Sequence, residues 1–250
     1  MRRCGRVAEG LKPVPDTSGG PNDDVWVIVR CFNEAAVVGP VIQSLRTVFP
    51  NIVAVDDGST DASSAIMAGA GAKVVRHAIN LGAGAALQTG LQYALLDHSA
   101  QYFVCFDADG QHRTEDAVAM IDRLRVEEID ILIGSRFLGH AEGMPSSRRA
   151  LLVAARTFER MTSGVHLTDA HNGLRAFTRR FAATVDLNMS DMAYASELLS
   201  AVARSKLSYA EHPVTIEYTE YSKRKGQRSI NSVNIALDIW IHQVFRGGRR

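Results

Sequence analysis

Residues 102–112 read YFVCFDADGQH. The apolar run ends in two carboxylates, Asp107 and Asp109, one residue apart, followed by Gly110. A near-continuous apolar run of this length suits a buried strand. Residues i and i+2 of a strand face the same side. Asp107 and Asp109 can therefore converge on one point, with the flexible Gly110 beyond them. Two hard oxygen ligands with room for water and phosphate suit Mg²⁺ or Mn²⁺. The plain alternative is a capped turn, since Asp and Gly are common turn residues. An EF-hand loop is excluded: the glycine falls too early, and Val118 occupies the place of the twelfth-position Glu.

Working outward, the first half alternates two kinds of segment. VWVIVRCF (25–32), NIVAVDD (51–57), AKVVRH (72–77), the opening run and DILIGSR (130–136) read as strands. Helical stretches near 35–48, 61–70, 84–97 and 114–126 separate them. Apolar strands divided by helices indicate an α/β fold with a mostly parallel sheet covered on both faces. In such sheets ligands bind beyond the carboxyl ends of the strands. Those ends carry Asn33-Glu34, DDGSTD (56–61), Asp107-x-Asp109 and Gly134-Ser135-Arg136. After Arg136 the pattern predicts a Gly/Pro/Ser loop (139–147), a helix near 148–163, the segment TDAHNGLRAF (168–177), a helix near 194–204 and a strand over 209–218. A basic loop, YSKRKGQRS (221–229), and a last helix near 230–245 follow.

Bulk properties exclude several function classes. The 250 residues are 46% hydrophobic, with 28 basic and 27 acidic side chains and a net charge of +1. That balance argues against a nucleic-acid binder. Three cysteines, Cys4, Cys31 and Cys105, lack paired spacing, which argues against a disulfide framework or a zinc site and suits a reducing compartment. No window approaches the roughly 18–20 apolar residues of a membrane span. Residues 1–22 are rich in Gly, Pro and charge and read as a flexible tail rather than a signal peptide.

Two further motifs admit bland readings. In VDDGSTD, Asp61 could cap the following helix while DGS turns the chain; alternatively, its carboxylates could accept hydrogen bonds from a nucleobase or ribose. NLGAGAALQTGL (80–91) opens a helix, but no Gly-Lys-Ser/Thr follows, and Leu87 stands where a dinucleotide fingerprint needs its third glycine.

Taken in order, RCFNEA, VDDGSTD, NLGAGAALQTG, FDADGQH, GSRF and DAHNGLRAF resemble the family 2 glycosyltransferases of the GT-A fold, in particular the polyprenol-phosphate members akin to dolichol-phosphate mannose synthase. The likeness spans about residues 25–230. It implies a Rossmann-like nucleotide-sugar transferase domain over 23–229, between the 1–22 tail and a carboxyl-terminal segment over 230–250. By this likeness Asn33 and Glu34 would line the nucleotide pocket, and Asp57 would contact base or ribose with Asp56 beside it. Asp107, Asp109 and Gln111 would surround Mg²⁺ or Mn²⁺ on the diphosphate of the donor. Arg136 would lie near a phosphate. Asp169 matches the catalytic or acceptor-orienting acid, with Arg175 supporting its loop. Arg224, Lys225 and Ser229 would belong to a loop closing over the phosphates.

The implied activity is inverting transfer of a sugar from a GDP-mannose- or UDP-glucose-type donor to a polyprenyl phosphate, at the cytoplasmic face of the membrane. In the last helix, Ile230, Val233, Leu237, Trp240 or Ile241, and Val244 recur at helical spacing beside a polar stripe, and Arg246, Arg249 and Arg250 follow. At ~1.5 Å per residue this segment is too short to cross a ~30 Å hydrocarbon core. It suits a membrane surface, a membrane partner or its own domain. The rival expectations are a soluble glycosyltransferase acting on a saccharide or small-molecule acceptor, and a nucleotide-binding scaffold without turnover that docks on a membrane partner through residues 230–250.

Overall fold

VWVIVRC, strand β1 (Val25–Cys31), is the axis of the fold. Its first five residues are all buried, on both faces, as expected for a central parallel strand. The computed structural model describes residues 20–142, 144, 146–188, 194–218 and 221. Strands β2 (Asn51–Asp56), β3 (Lys73–Arg76) and β4 (Tyr102–Asp107) alternate with helices α1 (Val38–Arg46), α2 (Ser63–Gly69) and α3 (Ala83–Leu95). Helix α4 (Thr114–Glu127), strand β5 (Ile131–Glu142), helix α5 (Ser146–Ser163), strand β6 (Arg175–Thr178), helices α6 (Arg179–Ala182) and α7 (Tyr194–Ser205) and strand β7 (Tyr209–Glu217) complete the described chain.

The seven strands form one sheet in the order β3-β2-β1-β4-β6-β5-β7. Every described pairing is parallel except those of β6, which runs antiparallel to both β4 and β5. The chain turns from one side of β1 to the other between β3 and β4, so the topological switch point lies between β1 and β4. Side chains alternate across the sheet. Val25, Val27 and Val29 pack with Val38, Ile42 and Leu45 of α1, Met67 of α2 and Met120 and Ile121 of α4. Trp26 and Ile28 pack on the opposite face with Leu87 and Leu91 of α3, Phe181 of α6 and Leu198 of α7. The i, i+4, i+7 spacing of Val38, Ile42 and Leu45 is what turns one side of α1 inward. Fully burying a side chain of this size contributes roughly 1.5–3 kcal/mol. Helix α3 lies close against the sheet: a Cβ on Gly90 would stand 2.3 Å from Cγ2 of Ile28. The last glycine of NLGAGAALQTG is therefore a packing residue.

The structure corrects the sequence reading in three places. Helix α1 starts at Val38, not near 35, because Val37 and Val38 both donate to the Glu34 carbonyl and hold 35–37 in a turn. The expected 139–147 loop begins later, because β5 continues to Glu142, pairing with β7 beyond an irregularity between Ser135 and His140. The segment read as DAHNGLRAF ends in the unexpected antiparallel strand β6. Cys31 and Cys105 are free and buried. The tail over 1–19, the residues Arg224, Lys225 and Ser229, and the 230–245 helix lie outside the described residues.

Candidate active site

The switch point gathers three groups of side chains. At the end of β4, Asp107 lies in register with Arg30 of β1, and its Oδ1 accepts from the Arg30 Nη2. Its Oδ2 is 3.3 Å from Nε2 of His112. The Arg30 side chain is 8% exposed and stacks over the Tyr194 ring at 4.8 Å. Burial pushes the Asp107 carboxyl up, but Arg30 and His112 outweigh it and hold the group below the usual carboxylate range. Asp109 differs: Gln111 clamps it with two neutral donors, the backbone N at 3.1 Å from Oδ1 and Nε2 at 2.6 Å from Oδ2. Burial first, then the neighbouring Asp107, pushes the Asp109 carboxyl up. Two adjacent acids thus have opposite electrostatic settings.

The ends of β1 and β2 are laced together. Asn33 adopts a left-handed φ of 54° and receives the Thr60 amide on its Oδ1 at 2.9 Å. The Glu34 amide donates to Ser63 Oγ, and Asp61 accepts from the amides of Ala35 and Ser63. Asp56 is 0% exposed, and its Oδ1 accepts from the Ser59 amide. Asp57 accepts the amides of Leu81 and Gly82 and pairs with Nδ1 of His77, whose Nε2 meets Thr89 Oγ1 at 2.9 Å. With Oδ1 used twice and Oδ2 once, Asp57 keeps room for one further donor. The Tyr221 hydroxyl donates to Glu34 Oε2 at 2.7 Å. It caps a pocket of about 460 Å³ lined also by Val37, Pro40, Val41, Phe106 and Asp109.

The third group centres on Asp169, 1% exposed. Its Oδ2 receives Nε of Arg136 at 2.5 Å, the Arg136 amide at 3.1 Å and Nδ2 of Asn172 at 3.2 Å. Its Oδ1 is buried without a hydrogen-bond partner among the described residues. Arg136 also donates to the Tyr218 hydroxyl at 2.9 Å, and Asp169 raises its pKa against the opposing pull of burial. Glu211 accepts the amides of Thr168 and Asp169, and Arg175 donates to the Ala170 carbonyl, so the loop is fixed from both sides. Behind it, His171 Nε2 lies 3.8 Å from Glu159 Oε1, and burial followed by Arg175 lowers its pKa to about 4. Gly173 joins the third group to the first: a Cβ there would stand 1.8 Å from Asp107 Oδ2.

One sheet edge therefore brings Asn33, Glu34, Asp57, Asp107, Asp109, Gln111, Arg136 and Asp169 together, with Asp56 and Arg175 buried behind it. Sequence reasoning missed Arg30, Gly173 and Tyr221 and left His112 open. A lone arginine inside VWVIVRCF was a signal for the first, because a charge in a buried strand needs a partner. Asp107 and Asp109 are hard oxygen donors of the kind a divalent ion takes, although among the described residues no group of three or more His, Cys, Asp or Glu is arranged to hold a metal by itself. Phosphate and water would complete the shell of a hard cation.

Residues 26–185 match the glycosyl transferase family 2 profile. The chain is a family 2 glycosyltransferase. It is 33% identical to an uncharacterized protein of Methanocaldococcus jannaschii over 228 residues, covering 89% of this chain and 93% of that one. It is 29% identical to the UDP-N-acetylglucosamine–dolichyl-phosphate N-acetylglucosaminyltransferase of Methanococcus voltae, covering 81% and 89%. With the polyprenol monophosphomannose synthase of Mycolicibacterium smegmatis it shares 28%, covering 82% of each. Glucosyl-3-phosphoglycerate synthase from Mycobacterium tuberculosis, solved with Mg²⁺ and uridine diphosphate, has the same fold at a TM-score of 0.62 and 18% identity, covering 87% and 79%. The glycosyltransferase described here is thus an α/β enzyme of the GT-A type, with its candidate site where that architecture puts ligands.

Proposed function

We propose that this glycosyltransferase moves a sugar from a nucleotide diphosphate sugar to a polyprenyl phosphate, with inversion and with Mg²⁺ or Mn²⁺. The observation that carries the reading is the approach of the Asp169 loop to Asp107: Gly173, four residues after Asp169, comes so close that a Cβ on it would stand 1.8 Å from Asp107 Oδ2. Two of the relatives above are named for lipid phosphate acceptors, which supports the acceptor class. Asn33, Glu34 and Asp57 hold the nucleoside; Asp109, with Asp107 and Gln111 around it, holds the metal. The bound ion would neutralise the diphosphate as it leaves.

A phosphate monoester acceptor has a second pKa near ~6 and is largely dianionic at neutral pH. It needs little proton removal. Asp169, fixed by Arg136, is suited to orient such an acceptor rather than to act as a strong base. A sugar hydroxyl would instead need a general base. Residues 23–229 form the catalytic domain in this proposal, and the arginine-ended segment over 230–250 meets the cytoplasmic membrane surface or a membrane partner. No helix of the described residues is long and apolar enough to cross a membrane. The test is a panel of radiolabelled GDP- and UDP-sugars with and without polyprenyl phosphate and EDTA. Label entering lipid only with metal is expected. Transfer to water-soluble saccharides alone would replace the acceptor, and transfer unaffected by EDTA would remove the metal.

A further inference from the structure

Arg30 is unused by the chemistry above, yet it is held next to the site, with Nη2 on Asp107 and with Nε and Nη1 buried without a hydrogen-bond partner among the described residues. It lies in register with Asp107 across the β1–β4 ladder, so the backbone itself sets their separation. Its side chain is 8% exposed and packed over Tyr194, which leaves the guanidinium little freedom to swing aside. The other carboxylate oxygen of Asp107 faces His112 and lies against the Gly173 backbone, where a Cβ would stand 1.8 Å from it. Asp107 is thus a carboxylate whose charge is already answered by a fixed cation. Among the described residues Asp109 forms no ion pair; Gln111 gives it hydrogen bonds without charge, and His112 only partly offsets its charge from a distance.

We propose that Arg30 is a resident counter-cation that keeps the affinity of this site for divalent metal low until a nucleotide diphosphate arrives. The inference rests on the metal reading above and concerns how that metal is admitted. A cation approaching Asp107 shares the carboxylate with a unit positive charge and is repelled by it. Among the described residues only Asp109 offers a carboxylate without an ion-pair partner, so the free enzyme presents a weak site. A diphosphate adds negative charge opposite Asp109 and reverses the balance. Metal and nucleotide then strengthen each other's binding by the same factor, as linkage requires. Arg30 acts through Asp107 and is a positioning residue.

The experiment is a Mn²⁺ titration of the full chain, followed by the electron paramagnetic resonance of free Mn²⁺, with and without GDP or UDP. The variants are Arg30→Met and Arg30→Gln, which remove the charge, and Arg30→Lys, which keeps it; thermal unfolding reports whether each folds. If Arg30→Met fails to fold, Arg30→Gln decides, because it can still hydrogen-bond Asp107. The neutral variant should bind Mn²⁺ without nucleotide about tenfold or more tightly than the native chain, with Arg30→Lys within about threefold of it. The enhancement of metal binding by nucleotide should shrink by the same factor. A folded neutral variant with native or weaker Mn²⁺ affinity overturns the role of Arg30 while leaving the metal site standing. Mn²⁺ bound by neither chain, with or without nucleotide, overturns both.

Discussion

Replacing Gly173 with alanine puts one methyl group between the proposed donor and acceptor halves of the site. The new Cβ would lie 1.8 Å from Oδ2 and 2.7 Å from Cγ of Asp107. Contacts under 3.0 Å are essentially never tolerated, so the carboxylate or the loop must retreat by about 1.2 Å. Asp107 has little room to retreat, because Arg30 holds one oxygen and His112 faces the other. Overpacking of this kind costs roughly 1–3 kcal/mol. In a chain of this size each kcal/mol lowers Tm by ~2–4 °C, so a fall of roughly 2–12 °C is expected. Misplacing a reacting group by about 1 Å costs on the order of 100-fold in turnover. The assay is sugar transfer to polyprenyl phosphate alongside thermal unfolding. A double-mutant cycle isolates the contact: in an Asp107→Ala background, which removes the carboxylate, the alanine at 173 should cost almost nothing. Native turnover and Tm in Gly173→Ala, or a penalty that persists in the Asp107→Ala background, would refute the reasoning.

Asp109→Asn should abolish transfer and Mn²⁺ binding and, because the native carboxyl is pushed up by burial and Asp107, raise the Tm of the metal-free chain at neutral pH; calorimetry without metal checks the sign. His171, lowered to about 4, binds its proton less readily folded than unfolded, so its contribution to stability is present above pH ~6.5 and lost as pH falls from there to about 4; Tm against pH should be flatter across that window in His171→Gln. Arg136→Met leaves a buried carboxylate unpaired and should cost roughly 3–5 kcal/mol, most of it recovered in Arg136→Met/Asp169→Asn, as urea unfolding of the two proteins would measure.

Much of the fold could be read from the sequence because its elements are local. The β-branched runs 25–32, 51–57 and 102–109 each announce a buried strand, and Val38, Ile42 and Leu45 repeat at helical spacing. Strand β6 escaped because four residues behind a glycine-containing polar loop carry no period of their own; its identity comes from pairing with Cys105 and Ile133 on distant strands. The extension of β5 escaped for the same reason: Gly139 offers no strand propensity, and β7 supplies the partner. Within the site, the acids were visible as residues at strand ends, but their settings were not. What distinguishes Asp107 from Asp109 is a guanidinium 77 positions away in sequence. The importance of Gly173 resides in a clash that exists only once the chain has closed.

The reversed direction of β6 has a consequence for how this enzyme can diversify. Parallel strands deliver their trailing ends to the working edge, so Glu34, Asp57 and Asp109 follow β1, β2 and β4. Strand β6 delivers its leading end, with Arg175 opposite Cys105, so the Asp169 segment arrives there before its strand begins. The two halves of the site thus hang from opposite termini of neighbouring strands. In the proposed assignment, insertions or exchanges upstream of Asp169 reshape the acceptor side while leaving the proposed donor-holding side untouched, a division of labour by which one scaffold serves acceptors of quite different shape.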